Sequence, residues 1–326
     1  MEAPLIMRIL ALSTSCSRLA SKVIRETLRK GNLEIVDKGI NDFQTLADRN
    51  AQRSIIHSLS KSFPDLTIVG EEGDLNREDS EICETFDENV LKEKCPTEYT
   101  NVTTADTVVW VDPIDGTKEF TQGLVHHVTV LIGISVKGKA IGGVICQPFY
   151  RETDLENKTQ ILIGTTQGNE EIERTSIRTV WGLDGLGVFG LNEKNPPLND
   201  PVFGEDNIIV TTRSHPTDLS TSTIQGCAPS KVMRIGGCGF KVLSLLDNMA
   251  HAYIFASSGC KKWDTCAPEG ILRAAGGELT DIQGDHYSYD KNVDHLNSRG
   301  VLATAKKEWH CKYSERIPKA VREGLV

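Results

Sequence analysis

The sequence lacks the features that mark membrane-spanning and disulfide-bonded proteins. Its 326 residues contain no apolar run of membrane-spanning length. The nine cysteines form no Cys-x-x-Cys pair and their number is odd, which argues against a disulfide framework or a zinc ribbon and favours reduced thiols. Arg8 interrupts the apolar start, and the C-terminus carries no retention or peroxisomal signal. We therefore expect a cytoplasmic protein that does not contact a membrane.

Basic residues are also scarce relative to acidic ones. Lys and Arg total 36 against 45 Asp and Glu, so the net charge is −9. A nucleic-acid partner is not expected, because nonspecific binding to the phosphate backbone relies on basic surface. With 39% hydrophobic and 25% charged residues, the chain has the composition of a soluble globular protein of one large or two ordinary domains. A monomer is favoured.

Hydrophobic periodicity predicts an α/β protein whose two halves differ. Residues 1–165 are expected to form an α+β half with helices over 5–30 and 48–63 and strands near 66–69, 108–111, 128–136 and 140–146. Residues 166–326 are expected to form an α/β half with strands at 208–212, 232–235 and 252–256, a polar helix after the first of them, and helices at 240–250 and 265–275. The segments 73–106 and 151–178 are predicted as surface loops, the first with some helix near 86–91.

The most informative motif is Asp112-Pro-Ile-Asp115-Gly-Thr117, which follows a β-branched strand. Pro113 restricts the backbone and Gly116 frees it, so both carboxylates are predicted on one sharp turn. Close carboxylates repel each other, and a hard divalent cation such as Mg²⁺ relieves that repulsion. The free amides of a helix beginning near Thr117 suit a phosphate. The motif points to metal-assisted chemistry on a phosphate ester, with a plain Asx turn as the alternative.

Three other acidic residues have both a functional and a structural interpretation. Glu71 follows a short strand and a glycine, a position similar to that of Asp112, but it also fits a surface turn. Asp264 comes just before an apolar helix, where it is either a further metal-binding carboxylate or an N-cap. Asp48 likewise fits either a functional site or the start of a helix.

Two segments of the second half carry candidate anion-binding groups. Gly236-Gly237-Cys238-Gly239-Phe240-Lys241 precedes a helix but matches neither a Walker A nor a dinucleotide-binding motif. It is either a phosphate cradle with Lys241 as a point charge or a structural turn. Thr212 and His215 come at the end of a predicted strand and offer hydroxyl and imidazole donors, although His215 alone also fits an ordinary surface position.

Taken together, these motifs resemble the lithium-sensitive, Mg²⁺-dependent phosphatase family that includes inositol monophosphatase. The resemblance rests on Gly70-Glu71-Glu72, the motif from Asp112 to Thr117, and Trp263-Asp264, in this order. Within that family, the sequence is most similar to the bisphosphate nucleotidase branch. This narrower resemblance rests on residues 110–120, 212–215 and 259–269. It implies a layered α-β-α-β-α sandwich of the inositol monophosphatase and fructose-1,6-bisphosphatase type.

The resemblance also implies roles for individual residues. Glu71, Asp112, Asp115 and Asp264, with the Ile114 carbonyl, would bind two or three Mg²⁺ ions. Asp48 and Thr117 would position and deprotonate the attacking water. Thr212, His215, Gly237 and Lys241 would hold the phosphate of the nucleotide.

The implied reaction is removal of the 3′(2′)-phosphate of adenosine 3′,5′-bisphosphate to give AMP and phosphate, with inhibition by lithium. 3′-Phosphoadenosine 5′-phosphosulfate would be a second substrate, which connects the protein to nucleotide metabolism and sulfur assimilation. Three alternatives remain open: a phosphatase for inositol monophosphate or inositol polyphosphate 1-phosphates, a catalytically inactive nucleotide-binding protein, and a Ca²⁺-binding module, although no Asp-x-Asp-x-Asp-Gly loop supports the last.

Overall fold

The computed structural model describes residues 3–39, 42–75, 80–151, 160–213 and 217–325. The helices within these ranges are α1 Leu5–Lys30, α2 Leu46–Ser62, α3 Glu88–Lys92, α4 Thr117–Thr121, α5 Thr166–Glu173, α6 Asp218–Gly226, α7 Cys238–Leu246, α8 Lys262–Ala274, α9 Lys307–Ser314 and α10 Lys319–Gly324. The strands are β1 Val36–Gly39, β2 Asp42–Gln44, β3 Thr67–Gly70, β4 Thr107–Asp115, β5 Thr129–Val136, β6 Lys139–Tyr150, β7 Ser176–Leu183, β8 Gly187–Phe189, β9 Ile208–Thr212, β10 Lys231–Ile235, β11 Ala252–Phe255, β12 Cys260–Lys261, β13 Glu278–Thr280, β14 Leu296–Asn297 and β15 Val301–Thr304.

Two larger sheets organise these elements. The first has the order β3-β4-β5-β6-β7-β8, in which β3 and β4 are parallel and the other neighbours are antiparallel. The second has the order β10-β9-β11-β15-β13, in which β10, β9 and β11 are parallel and β15 runs antiparallel to both of its neighbours. The first sheet is therefore mainly antiparallel, whereas the second is mixed, with two parallel and two antiparallel pairings. The sequence predicted that the first half is the more antiparallel of the two.

Three hydrophobic clusters show how the layers stack. In the first cluster, α1 and α2 pack on one face of the first sheet. In the second cluster, α7 and α8 pack between the two sheets, and in the third, α6, α9 and α10 cover the far face of the second sheet. The order is helices, sheet, helices, sheet, helices. The predicted α-β-α-β-α sandwich is confirmed.

Glycines allow α8 to lie against the first sheet. A Cβ atom on Gly133 of β5 would be 2.5 Å from the backbone nitrogen of Ala267, and one on Gly270 of α8 would be 2.5 Å from the backbone nitrogen of Gly142. Any larger side chain would push the helix away from the strands. This close approach matters for function because α8 carries Asp264 in its first turn.

Local signals place most element ends where the sequence predicted them. α1 ends at Gly31, whose φ of 74° gives the left-handed conformation that glycine favours. α2 begins two residues earlier than predicted, because Thr45 caps it and forms a capping box with Asp48. Asp48 is therefore in the first helical turn and is buried. Strand β4 is longer than predicted and continues through Asp112 to Asp115.

Two predictions about the second half of the chain need correction. Asp264 is not the N-cap of α8: Lys261 occupies the cap position, and the helix begins at Lys262. The segment 151–178 is not all loop. Residues 152–159 lie outside the described ranges, but Thr165 caps α5, Ile172 of that helix is 1% exposed, and β7 begins at Ser176. The segment is mostly polar, but the capped helix α5 forms because Ile172 can be buried on one of its faces.

The predicted division between residues 165 and 166 stays a prediction. Strands β7 and β8 follow it and complete the first sheet before the chain enters the second. In the described ranges, no helix combines the length and the apolar character needed to cross a lipid bilayer.

Candidate metal and phosphate site

A cavity of about 470 Å³ contains nearly all of the described residues that the sequence assigned to the site. Its lining includes Glu71, Asp112, Ile114, Asp115, Thr117, Thr212, Gly237, Lys241 and Asp264. These residues come from β4, α4, β9, α7 and α8, from the turn after β3 and from the cap of α7, so the fold brings together segments that are far apart in the sequence. Asp48 is completely buried behind the cavity and reaches it through Thr117. His215 lies outside the described residues, and its assignment stays a prediction.

The carboxyl end of β4 supplies two of the acidic groups. The pairing of β4 with β5 shifts register between Asp112 and Asp115, because the Pro113-containing segment leaves the regular ladder. Asp112 is 2% exposed, and its Oδ1 accepts a hydrogen bond of 3.0 Å from the backbone nitrogen of Ile114. This bond is the Asx turn that the sequence allowed. Here the turn and the functional site are compatible, because the turn orients Asp112 toward the cavity that it lines.

Asp115 is held by the start of α7. Its oxygens accept 2.7 Å hydrogen bonds from the backbone nitrogens of Cys238 and Gly239 and from Thr129 Oγ1. Gly237 permits this contact: its φ is +67°, and a Cβ there would lie 2.7 Å from the carbonyl oxygen of His127. The glycine-rich turn thus cradles an anion, but that anion is a carboxylate of the protein itself.

Glu71 and Asp264 approach the same cavity from two other elements. The backbone nitrogen of Glu71 donates to the Val111 carbonyl at 3.1 Å, which continues the parallel pairing of β3 with β4. Asp264 Oδ2 accepts a 2.7 Å hydrogen bond from the backbone nitrogen of Lys261. The side chain of Glu71 is 14% exposed. Asp264 is thus not the N-cap, but it accepts a hydrogen bond from the cap residue and also lines the cavity.

The acidic groups affect one another electrostatically. Burial raises the pKa of Asp112, and the negative charges of Glu71, Asp115 and Asp264 raise it further. Burial and the charges of Asp264 and Glu72 raise the pKa of Glu71. Burial and the charge of Asp115 raise the pKa of Asp264 to about 6. Mutual repulsion in a buried place is the situation that a divalent cation relieves.

The donor set fits a hard cation. Carboxylate and carbonyl oxygens are the ligands that Mg²⁺ prefers, and Ile114 offers its carbonyl beside four acidic side chains. Among the described residues, no three His, Cys, Asp or Glu side chains already adopt an arrangement that could hold a metal ion. The four carboxylates nevertheless line one cavity.

Asp48 and Thr117 form the predicted pair. Thr117 Oγ1 lies 3.1 Å from Asp48 Oδ1 and 2.9 Å from the Ile114 carbonyl oxygen, so its proton can be donated to either acceptor. Asp48 Oδ2 accepts hydrogen bonds from the backbone nitrogen of Thr45, at 2.7 Å, and from the Thr45 hydroxyl. Burial raises the pKa of Asp48 to about 7, although the bonds from Thr45 and Thr117 oppose that shift. A carboxyl with this pKa can gain and lose a proton near neutral pH.

Another part of the cavity lining carries polar and cationic groups. Lys241 is 5% exposed, its Nζ donates to the Gly237 carbonyl at 2.8 Å, and it lies 5.2 Å from the ring centre of Tyr253. Thr212 is 6% exposed at the end of β9. A buried lysine near a hydroxyl is suited to a phosphate oxygen. These positions agree with the predicted phosphate-binding side, and the roles themselves stay predictions.

Sequence reasoning missed several residues of this cavity. Phe43, Tyr253, Lys261 and Leu296 line it, and Lys38 Nζ lies 3.9 Å from Glu71 Oε1. Tyr253 lies within a predicted strand, and alternation along that strand is the one signal that could have placed its side chain on the cavity face. The other residues come from short strands or loops, whose position depends on tertiary packing.

Comparisons with known proteins agree with this geometry. Residues 7–320 match the inositol monophosphatase family. The chain is 46% identical to human 3′(2′),5′-bisphosphate nucleotidase 1, over 98% of this chain and 97% of that protein. It is 36% identical to 3′(2′),5′-bisphosphate nucleotidase 1 of Dictyostelium discoideum, over 95% and 97% of the two chains. The crystal structure of the extragenic suppressor protein SuhB from Bartonella henselae superposes with a TM-score of 0.67 at 20% identity and covers 96% of this chain and 98% of that one.

Proposed function

Because this chain belongs to the inositol monophosphatase family, we propose that it is a Mg²⁺-dependent 3′(2′),5′-bisphosphate nucleotidase. It is a phosphatase that removes the 3′(2′)-phosphate of adenosine 3′,5′-bisphosphate and releases AMP and inorganic phosphate. 3′-Phosphoadenosine 5′-phosphosulfate, which carries the same 3′-phosphate, is a second substrate, and this activity serves nucleotide metabolism and sulfur assimilation. The nucleotide assignment is supported by relatives named as bisphosphate nucleotidases at 36–46% identity over nearly their full length.

One observation carries the proposal: acidic groups from three separate segments share a cavity with a buried lysine. Glu71, Asp112, Asp115 and Asp264 supply hard oxygen ligands, and Lys241 supplies a positive charge across from them. A phosphate ester has negative oxygens that need both a metal ion and a cationic side chain. The cavity offers both kinds of group within one volume.

The residues divide the work of the reaction. Asp48 accepts the proton that Thr117 passes from the attacking water, since the Thr117 hydroxyl lies within hydrogen-bonding distance of Asp48 Oδ1. Lys241, Thr212 and Gly237 hold the phosphate at the part of the cavity that they line, and the absence of a side chain at Gly237 lets the turn approach His127 and Asp115 closely. Mg²⁺, when bound, supplies positive charge that stabilises the phosphate and the leaving oxygen. We assign two or three such ions to the four carboxylates and the Ile114 carbonyl.

Phosphate-release assays on purified protein test the substrate. We expect adenosine 3′,5′-bisphosphate to exceed inositol 1-phosphate and inositol 1,4-bisphosphate by at least roughly tenfold in kcat/KM, equivalent to about 1.4 kcal/mol of transition-state binding. A preference for either inositol phosphate would replace the nucleotide assignment by the first alternative. Turnover of no substrate, with a Ca²⁺-specific gain in thermal stability, would support the binding module instead.

Metal requirement is tested in the same assay. Chelation of divalent cations should abolish phosphate release, and Mg²⁺ should restore it. Lithium should inhibit at fixed Mg²⁺, because Li⁺ is small enough for a Mg²⁺ position but carries half the charge. Phosphate release that continues in the presence of a chelator would contradict the metal assignment, and lithium-insensitive turnover would contradict the resemblance to lithium-sensitive phosphatases.

A further inference from the structure

We propose that Gln52 is a positioning residue that fixes the turn carrying Glu71 against the helix carrying Asp48, and thereby sets the affinity of the site for Mg²⁺. The inference rests on the proposed function, because it assigns Glu71 to metal binding. Gln52 does not line the cavity and is completely buried. It acts through the backbone of the Gly70–Gly73 turn.

The side-chain amide of Gln52 makes two complementary hydrogen bonds to that turn. Its Oε1 accepts from the backbone nitrogen of Glu72 at 2.9 Å, and its Nε2 donates to the carbonyl of Gly73 at 2.8 Å. An amide has a donor and an acceptor side by side, so it can satisfy both backbone groups at once. A carboxylate could accept but not donate, and an apolar side chain could do neither.

Gly70 makes room for these two hydrogen bonds of the Gln52 side chain, which we call the Gln52 clamp. A Cβ atom on Gly70 would lie 2.5 Å from Gln52 Oε1 and 2.6 Å from the amide carbon. The amide thus packs directly against the end of β3, one residue before Glu71. The close approach of Gln52 therefore explains why the first position of the Gly70-Glu71-Glu72 motif is a glycine.

Gln52 and Asp48 lie on the same face of α2. Residues four apart on a helix are neighbours, about 6 Å apart along the axis. The same helix face thus presents Asp48 to Thr117 and Gln52 to the Glu71 turn. Because a helix is stiff over one turn, the hydrogen bonds of Gln52 fix the position of Glu71, the proposed metal ligand, relative to Asp48, the proposed proton acceptor.

The turn also supports the β1–β2 hairpin. The side chain of Glu72 is 1% exposed and accepts from Lys38 Nζ at 3.0 Å and from Gln44 Nε2. Phe43, between these two residues, lines the cavity. Loss of the Gln52 clamp should therefore loosen Glu71 and this edge of the cavity, while Lys241 and Thr212 on the other side keep their positions.

The Gln52→Leu variant tests the proposal, because leucine has a similar size and makes no hydrogen bond. Mg²⁺ binding to the full-length protein without substrate is measured by calorimetry, and kcat is measured at saturating Mg²⁺. We expect the Mg²⁺ dissociation constant to rise about 10–100-fold, as when a partner of a metal ligand is removed. At saturating Mg²⁺, kcat and the KM for the nucleotide should change less than about threefold, since the reacting groups are intact.

Ser54→Ala is the matched control. Ser54 is on the same helix and is 2% exposed. It donates a 2.7 Å hydrogen bond to the carbonyl of Glu81, which lies beyond the Gly70–Gly73 turn in the sequence. It should lose stability as Gln52→Leu does but keep the wild-type Mg²⁺ affinity. Equal Mg²⁺ affinity in Gln52→Leu and wild type would overturn the proposal, and so would an equal loss in Ser54→Ala.

Gln52→Glu covers the case in which Gln52→Leu fails to fold, as judged by circular dichroism. It keeps the shape and the acceptor for Glu72 but loses the donor to Gly73 when ionised, so the Mg²⁺ dissociation constant should again rise. An unchanged constant in a folded Gln52→Glu protein would overturn the role of the clamp. If wild-type protein itself binds no Mg²⁺, the proposed function fails rather than the role of Gln52.

Discussion

The two sides of the cavity handle charge in opposite ways. On the acidic side, formed by Glu71, Asp112, Asp115 and Asp264, negative charges raise one another's pKa values. On the donor side, formed by Thr212, Gly237 and Lys241, a positive charge lies close to carbonyl and aromatic groups that stabilise it. Asp115 connects the two sides, since the first amides of α7 bind its carboxylate.

This difference shows which side is built for a ligand and which also supports the fold. Buried like charges are unfavourable for folding, so a protein retains them where function requires them. The donor side uses the amides of Cys238 and Gly239 and the ammonium group of Lys241 for internal hydrogen bonds. We therefore expect substitutions on the acidic side to abolish chemistry, and substitutions on the donor side to change substrate affinity.

Asp112→Asn should have the largest effect. It removes one negative charge from the centre of the acidic side, and phosphate release should fall at least about a thousandfold, comparable to the loss of a main electrostatic group. The same change should raise the unfolding temperature of the chelator-treated protein, because a buried like charge is removed. Thermal unfolding and phosphate release are measured on the same samples.

Asp65→Asn is the control for that variant, because Asp65 is exposed in the turn after α2. It should leave both phosphate release and unfolding temperature close to wild type. Near-wild-type turnover by Asp112→Asn would remove the acidic side from the mechanism. A fall in unfolding temperature in the absence of metal would show that repulsion on this side is already relieved within the protein.

The acidic side was predictable from sequence because its signals are local. The spacing of Asp112, Pro113 and Gly116 specifies a turn whatever surrounds it, and the glycine after α1 marks the helix end at Gly31 in the same way. Glu71 comes directly after β3, and Asp264 was expected just before a helix but lies in the first turn of α8. Resemblance to a known family then joined these separate turns into one site.

The donor side and the supports of the site were less predictable. The sequence left the glycine-rich turn open between a phosphate cradle and a structural turn. Nothing local indicates that the amides of Cys238 and Gly239 bind Asp115, more than 100 residues earlier. Gln52 has no motif at all: its role appears only when β3 ends beside α2. Such contacts depend on how the layers stack, which periodicity does not specify.

Thr117→Val should have the second largest effect. Valine keeps the shape of threonine but lacks the hydroxyl that links the water to Asp48, so kcat should fall about 100-fold, within the range for loss of proton transfer. Mg²⁺ affinity, measured by calorimetry, should change little because the carboxylates are untouched. Thr121→Val on the same short helix is the control, since the Thr121 hydroxyl donates to the Lys118 carbonyl of its own helix. A kcat for Thr117→Val equal to that of Thr121→Val would exclude the relay.

Lys241→Met tests the expectation that substitutions on the donor side change substrate affinity. Methionine keeps an unbranched apolar stem but removes the charge, so the KM for the nucleotide should rise roughly tenfold, equal to about 1.4 kcal/mol. Mg²⁺ affinity should not weaken, because the substitution removes a positive charge that repels a cation bound in the same cavity. Lys22→Met, at an exposed position of α1, controls for loss of one surface charge. Weaker Mg²⁺ binding with an unchanged KM would contradict the assignment of Lys241 to phosphate binding on the donor side.

The pH dependence of stability gives the smallest expected effect and separates Asp48 from the other acidic groups. Burial raises the folded-state pKa of Asp48 to about 7, far above the ordinary value of 3.8 that applies when the chain is unfolded. The neutral form therefore stabilises the fold below about pH 4, and this contribution is lost progressively as the pH rises through about 7. Chelator-treated wild-type protein should unfold at a lower temperature at pH 8 than at pH 5.

Asp48→Asn removes the titrating group while keeping an acceptor for the Thr45 backbone nitrogen. The difference in unfolding temperature between pH 5 and pH 8 should therefore shrink by a few degrees relative to wild type. Glu71 and Asp112 titrate in both proteins, so the change in that difference isolates Asp48. An unchanged pH difference would mean that Asp48 is already ionised in the folded protein at pH 5. It would then be a weaker proton acceptor near neutral pH, and the acidic side alone would account for the pH dependence of the fold.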